Sequence, residues 1–186
     1  MRSIVVIALA LLILAACEPE YVTPDRLEPF VQERIVSDAR HELNGLIYEH
    51  EALVAGAYAR LSASEEKVSF DVMRGKRQLV GATHSGRRDV DTMIDVHAYN
   101  AYSEIARARS RVEGFDAEVR ESLAQERSRI DELDVATATS DQTGSIIAAA
   151  REALVSDQVE GWVNTAEQAS VRVADQIQNE LNKIRR

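Results

Sequence analysis

Four histidines are the side chains of this 186-residue chain whose ordinary pKa lies near neutrality, so they are the first candidates for acid–base or metal chemistry. They are His41, His50, His84 and His97. A di-metal helical bundle needs paired Glu-x-x-His units on facing helices. Asp38-x-x-His41 approximates one such unit, and the sequence contains no second copy. His41-Glu42 lacks the histidine four residues on that a zinc hydrolase helix requires. His50 falls on an apolar helical stripe, where a satisfied seam histidine is the simpler reading. His97 beside Tyr99 and Tyr102 could line a pocket between helices. Ser85 stands in His-Ser-Gly-Arg and not in a nucleophile elbow. Gly75-Lys76 lacks the glycine-rich loop of a phosphate-binding motif. No catalytic residue, metal set or cofactor is therefore expected.

A different chemistry stands out between Arg74 and Arg88. Arg74, Lys76, Arg77, Arg87 and Arg88 carry five positive charges there, with His84 among them and no acid. The chain as a whole is acidic, with 22 Lys+Arg against 31 Asp+Glu. Such a balance argues against nucleic acid as a general partner. A local basic cluster on an acidic background can still attract phosphates or carboxylates without reading sequence. The simpler alternative is a solvated turn between helices.

The N-terminus addresses location. Arg2 precedes an unbroken apolar stretch from Ile4 to Leu14, and small residues Ala15 and Ala16 stand before Cys17. Charge, apolar run and small-residue site in that order make a secretory signal peptide, too short to span a bilayer. Leu14-Ala15-Ala16-Cys17 resembles the lipobox of bacterial lipoproteins. The resemblance covers the first seventeen residues alone. It implies removal of residues 1–16, lipidation of Cys17 and anchoring to a membrane by two or more acyl chains. Glu18 is not the aspartate that retains enteric lipoproteins at the inner membrane, so the resemblance favours the outer membrane, facing the periplasm. Cys17 is the only cysteine. The rest of the chain must hold by packing, without a disulfide or a thiolate metal site.

Three prolines, Pro19, Pro24 and Pro29, follow the cysteine closely, and no other proline occurs. Residues 17–29 read as a lipidated tether, with polyproline II character over 18–28. Residues 30–186 read as one helical domain, because a long proline-free stretch is what extended helices need. Ile35, Ala39, Leu43, Leu46, Leu53, Ala57 and Leu61 step at helical spacing, widened by Ile47, Val54 and Tyr58. Ile94, Ala98, Ala101, Ile105, Ala108, Val112, Phe115 and Val119 alternate fours and threes, a heptad seam. A stutter follows, with Leu123, Ile130 and Leu133 continuing the stripe. Val159, Val163, Ala166, Ser170, Val173, Ile177, Leu181 and Ile184 form the third seam.

Breaks at Gly81–Gly86 and at Ala136–Ser145 separate the three segments. The pattern predicts an all-α, elongated, antiparallel bundle or coiled coil of about three long helices, each roughly 70–80 Å. Val68-Ser-Phe-Asp-Val72 alternates like a strand, with Arg74-Gly75-Lys76 as a turn, so a short β-hairpin near 68–83 is the alternative to helix there. Up-down-up topology would gather Arg74, Lys76, Arg77, Arg87 and Arg88 with Lys183, Arg185 and Arg186 at the end far from the lipid.

The expected function is a non-enzymatic, lipid-anchored envelope protein acting as spacer, scaffold or assembly partner. Peptidoglycan or an envelope protein would be its partner, and a homo-oligomer is compatible with such seams. The alternatives are a ligand-binding or sensory periplasmic domain near His97, Tyr99 and Tyr102, and a phage or plasmid lipoprotein for lysis or exclusion.

Overall fold

The computed structural model describes residues 24–80, 86–154 and 156–184, with side chains from Pro29 onward. The described residues form four helices: α1 Pro24–Val80, α2 Arg87–Asp131, α3 Ser140–Ala153 and α4 Ser156–Lys183. At 1.5 Å per residue, α1 with its 57 residues runs about 85 Å and α2 with 45 about 68 Å. α3 and α4 follow one another along the third rod of the bundle. The all-α bundle expected from the apolar periodicity is the observed fold.

Ion pairs between helices give the directions. α1 meets α2 through Arg40–Asp131, His50–Asp116, Glu65–Arg109 and Lys76–Asp95, whose sequence separations shrink through 91, 66, 44 and 19. That is antiparallel pairing. Arg151 of α3 reaches Glu42, 109 residues away, and Arg60 reaches Glu160 and Glu167 of α4 at 100 and 107. A nearly constant separation means that the third rod runs parallel to α1. The bundle goes up, down and up.

The core is one continuous seam along the axis. α2 buries Ile94, Ala98, Ala101, Ile105, Ala108, Val112, Phe115 and Val119, then Leu123 and Ile130 after the stutter. α4 buries Val159, Val163, Ala166, Ser170, Val173, Ile177 and Leu181. On α1, Val36 and Val54 take the buried positions, while Leu53 lies at the flank. His50 also occupies a seam position, 1% exposed.

Three expectations are corrected. The stretch read as a tether over residues 17–29 is helical from Pro24. Proline is tolerated at the start of a helix, where its missing N–H has no partner to lose. Pro29 costs one hydrogen bond close to the same end. Residues 17–23 lie outside the described residues. The hairpin reading near 68–83 fails over 68–80, which continue α1 without interruption; residues 81–83 lie outside the described residues. Gly75 is not a turn residue but a buried one, and a Cβ there would lie 2.5 Å from Ile177 Cγ2 and 3.4 Å from Ile94 Cδ1. The glycine lets α1, α2 and α4 approach closely.

The third correction concerns Ala136–Ser145. Helix α3 already begins at Ser140, because Thr139 and Gln142 form a capping box. The Gln142 amide donates to Thr139 Oγ1 at 3.3 Å, and the Thr139 amide donates to Gln142 Oε1 at 3.0 Å. Asp134 closes the preceding turn by accepting from the Ala136 amide at 3.0 Å. The third segment is itself divided at Leu154, whose φ of −87° and ψ of 61° leave the helix. The division re-phases the stripe. Ala150 and Val159 are both buried, yet on one unbroken helix they would stand about two and a half turns apart, on opposite faces.

Glycines on this fold should respond oppositely to the same substitution. Gly75→Ala should destabilise by about 1–3 kcal/mol despite the better helix propensity of alanine, because Ile177 must move. Gly114 and Gly161 meet nothing within 4 Å, so Gly114→Ala and Gly161→Ala should each stabilise by about 0.5–1 kcal/mol. Chemical denaturation of the three variants checks both signs.

Candidate functional site

The fold brings the basic cluster to one end of the bundle. Arg74, Lys76 and Arg77 occupy the last two turns of α1, and Arg87 and Arg88 open α2. The end of α4 lies beside them, since a Cβ on Gly86 would sit 3.0 Å from Ile184 Cγ2. Lys183 also lies at this end, hydrogen-bonded to Glu180 at 2.7 and 2.8 Å. Arg185 and Arg186 lie outside the described residues, as do His84 and Cys17.

The five cluster residues do not behave alike. Lys76 Nζ lies 2.7 Å from Asp95 Oδ1 and 3.5 Å from Asp91 Oδ1, so it ties α1 to α2. The hydrogen bond to Asp95, with help from Asp91 against burial, raises its ammonium above the ordinary 10.5. Arg74, Arg77, Arg87 and Arg88 are exposed and make no ion pair among the described residues. Arg77 suits the C-terminal end of its helix. Arg87 and Arg88 sit at the N-terminal end of theirs, where the macrodipole disfavours cations; only Asp89 follows the usual preference there.

Apolar side chains share this surface, which the sequence reading did not assign. Phe70 is 60% exposed, Met73 50% and Val80 71%. Phe70, Met73, Arg74, Arg77 and Gln78 surround a shallow hollow of about 340 Å³. Their spacing of threes and fours puts them on one helix face, away from the seam through Val68, Gly75 and Leu79. The signal lay in the sequence: Phe70 and Met73 are large apolar residues out of phase with the stripe.

The other candidates fall differently. His97 and Tyr99 line an open cleft of about 420 Å³ between α2 and α4, with Asn100, Ser103, Arg107 and Arg172. Tyr102 is not part of its wall. His97 Nε2 lies 3.7 Å from Glu180 Oε1, an ion-pair distance when the ring is protonated but too long for a hydrogen bond. His50 Nε2 lies 2.8 Å from Asp116 Oδ1, and its Nδ1 is buried without a partner. The ring packs 5.7 Å from Phe115, which meets Trp162 edge-on at 6.4 Å. Burial would raise the Asp116 carboxyl, but hydrogen bonds from Arg120 and His50 more than reverse this and hold it below 3.8. His41 is exposed. No group of three or more metal-ligating side chains gathers among the described residues. No helix among them is long and apolar enough to cross a membrane.

The densest polar cluster joins α1 to α4. Arg60 donates from Nε and Nη2 to Glu167 at 2.7 and 2.8 Å, from Nη1 to Glu160 at 2.6 Å and from Nη2 to Asn164 at 2.8 Å. The fork on Glu167 is bidentate. It holds the Glu167 carboxyl below its ordinary 4.5 against the opposing effect of burial. The cluster occupies mid-rod and faces no cleft, so its role is to fix the helices. No family model, curated protein or solved structure matches the chain.

The lowered carboxylates give a signed expectation for pH. Asp116, Glu167 and Glu180 bind protons more weakly folded than unfolded. Their contribution is complete above the unfolded values near 4 and is lost as pH falls through the folded values. Melting temperature should therefore hold from pH 7 to about 5 and fall below about 4. Glu167→Gln should melt lower than wild type at pH 7 and lose less between pH 5 and 3, as thermal melts followed by circular dichroism would read.

Proposed function

We propose that this chain is a non-enzymatic lipoprotein of the bacterial envelope, anchored through Cys17 and facing the periplasm, with the outer membrane as its location. It acts as a rigid spacer or scaffold whose far tip meets an anionic surface or partner. The observation that carries the reading is the set of four arginines, Arg74, Arg77, Arg87 and Arg88, exposed and without acid partners among the described residues at one end of an acidic rod. Two of them stand where they oppose the helix dipole, a placement that stability alone does not favour. The lipobox-like Leu14-Ala15-Ala16-Cys17 supplies the anchor. Helix α1 starts soon after that cysteine, so the anchor lies at the opposite end from the arginines, about 85 Å away along α1.

The open cleft beside His97 supports the sensory alternative less well. Its wall includes the exposed Tyr99, and Arg107 in it is already engaged by Glu104 at 2.8 Å.

The anchor is tested in the full chain expressed in a bacterium. Metabolic labelling with an alkyne fatty acid should mark wild type and leave Cys17→Ser unmarked. The variant should also move from the membrane fraction to the soluble one. An unlabelled wild-type protein processed at another position would overturn the assignment.

A further inference from the structure

The arginine tip carries apolar side chains as well, and these narrow what it meets. Phe70, Met73, Arg74, Arg77 and Val80 recur every three or four residues over the last three turns of α1. Phe70, Met73 and Val80 are each at least half exposed, although the buried stripe of the same helix offers apolar positions nearby. Arg87 and Arg88 add two cations at the same end. Apolar residues interleaved with arginines on one helix face are what the headgroup boundary of a bilayer accommodates. Arginine pairs with phosphate through its planar fork, while an aromatic ring and a thioether settle among the upper acyl segments.

We infer that the outer face of α1 over its last three turns, with Arg87 and Arg88, docks on a bilayer surface rich in anionic phospholipid. This rests on the tip being a contact surface, as proposed above, and names what it contacts. Peptidoglycan offers carboxylates and hydroxyls, which would engage the arginines and leave Phe70 and Met73 in water. A second copy of the chain would oppose four arginines with four more, which like-charge repulsion disfavours. An anionic phospholipid surface satisfies both kinds of side chain at once. With the N-terminal lipid in one membrane and this face on another, the rod would bridge two bilayers.

The test uses the mature chain carrying Cys17→Ser, which keeps every described residue and removes the acyl anchor. It is sedimented with vesicles of phosphatidylcholine, with vesicles of phosphatidylcholine and phosphatidylglycerol in equal parts, and with peptidoglycan sacculi. Three proteins are compared: this parent, Phe70→Ser with Met73→Ser, and Arg74→Ser with Arg77→Ser, Arg87→Ser and Arg88→Ser. All substituted side chains are exposed, and unchanged thermal melts confirm that the variants fold.

The parent should bind the anionic vesicles, weaken as salt rises, and ignore phosphatidylcholine alone. Each arginine removed should lower partitioning about fivefold, and the two apolar substitutions together should lower it about tenfold or more. Binding to sacculi in preference to anionic vesicles would overturn the lipid assignment and leave the contact tip standing. Anionic binding unchanged by Phe70→Ser with Met73→Ser would overturn the docking face in the same way. No binding to either surface would overturn both readings.

Discussion

Close approach of three helices along a thin seam is the constraint on which the rest of this structure depends. Much of the seam is alanine: Ala39, Ala57, Ala98, Ala101, Ala108, Ala150, Ala166 and Ala169 are all buried. A buried alanine removes little apolar area from water, so no single layer contributes much. Stability has to accumulate through length, and each layer works only where the helix axes come near the lower end of the usual 8–10 Å. Gly75 shows how tight the fit is, since the side chain of Ile177 already fills the space a Cβ would take. Helix interiors disfavour glycine by about 1 kcal/mol, and this site accepts that cost to keep the helices in contact.

A seam of small residues with heptad spacing has a weakness: one register resembles the next. Displacing α4 by seven residues would still set Val and Ala against Val and Ala. The polar ties remove that freedom. Arg60 fits Glu160, Asn164 and Glu167 together at one register, through four hydrogen bonds of 2.6–2.8 Å. His50 and Asp116 act likewise between α1 and α2, at a seam position where aliphatic packing alone would slide. A buried polar pair is a poor source of stability and a good source of specificity when a slip would leave it unpaired. The orphaned Nδ1 of His50 is consistent with this: the site gives up one hydrogen bond in the core and keeps the register.

How much of this was legible in the sequence depends on which force set each feature. The seams of α2 and α4 were readable residue by residue, because burial follows helical periodicity and nothing competes with it there. On α1 the reading slipped at Ile35 and Leu53, where two neighbouring apolar residues both fit the spacing and only packing chooses Val36 and Val54. The start of α3 was written in Thr139-Ser-Asp-Gln142, a local capping signal hidden inside a stretch whose composition looks like a loop. The break at Leu154 was implied by a phase mismatch between Ala150 and Val159. Gly75 could not be interpreted from sequence, since its role is set by Ile177 about a hundred residues away. The basic cluster was visible as a run of charge. Its division into Lys76, which ties two helices, and four free arginines required Asp91 and Asp95 to be placed across from it.

That division changes the meaning of the tip. Had all five cations met acids, the cluster would be one more set of interhelical ties, like those at Arg60 and Arg40. Instead the one lysine closest to the seam is consumed by the fold, and the arginines outside it are not. Exposed arginines usually add little to stability, and a solvated turn could tolerate them. Two further features resist that bland account. Arg87 and Arg88 occupy a helix N-terminus, where folding energetics favour acids. Phe70 and Met73 stand beside Arg74 and Arg77 around one hollow, when a soluble helix face would ordinarily carry polar residues at those positions. Each departure costs the folded chain something, and both occur within the same few turns at the same end. In a rod whose other residues follow the rules of helix packing closely, that coincidence marks the place where requirements other than folding have shaped the sequence.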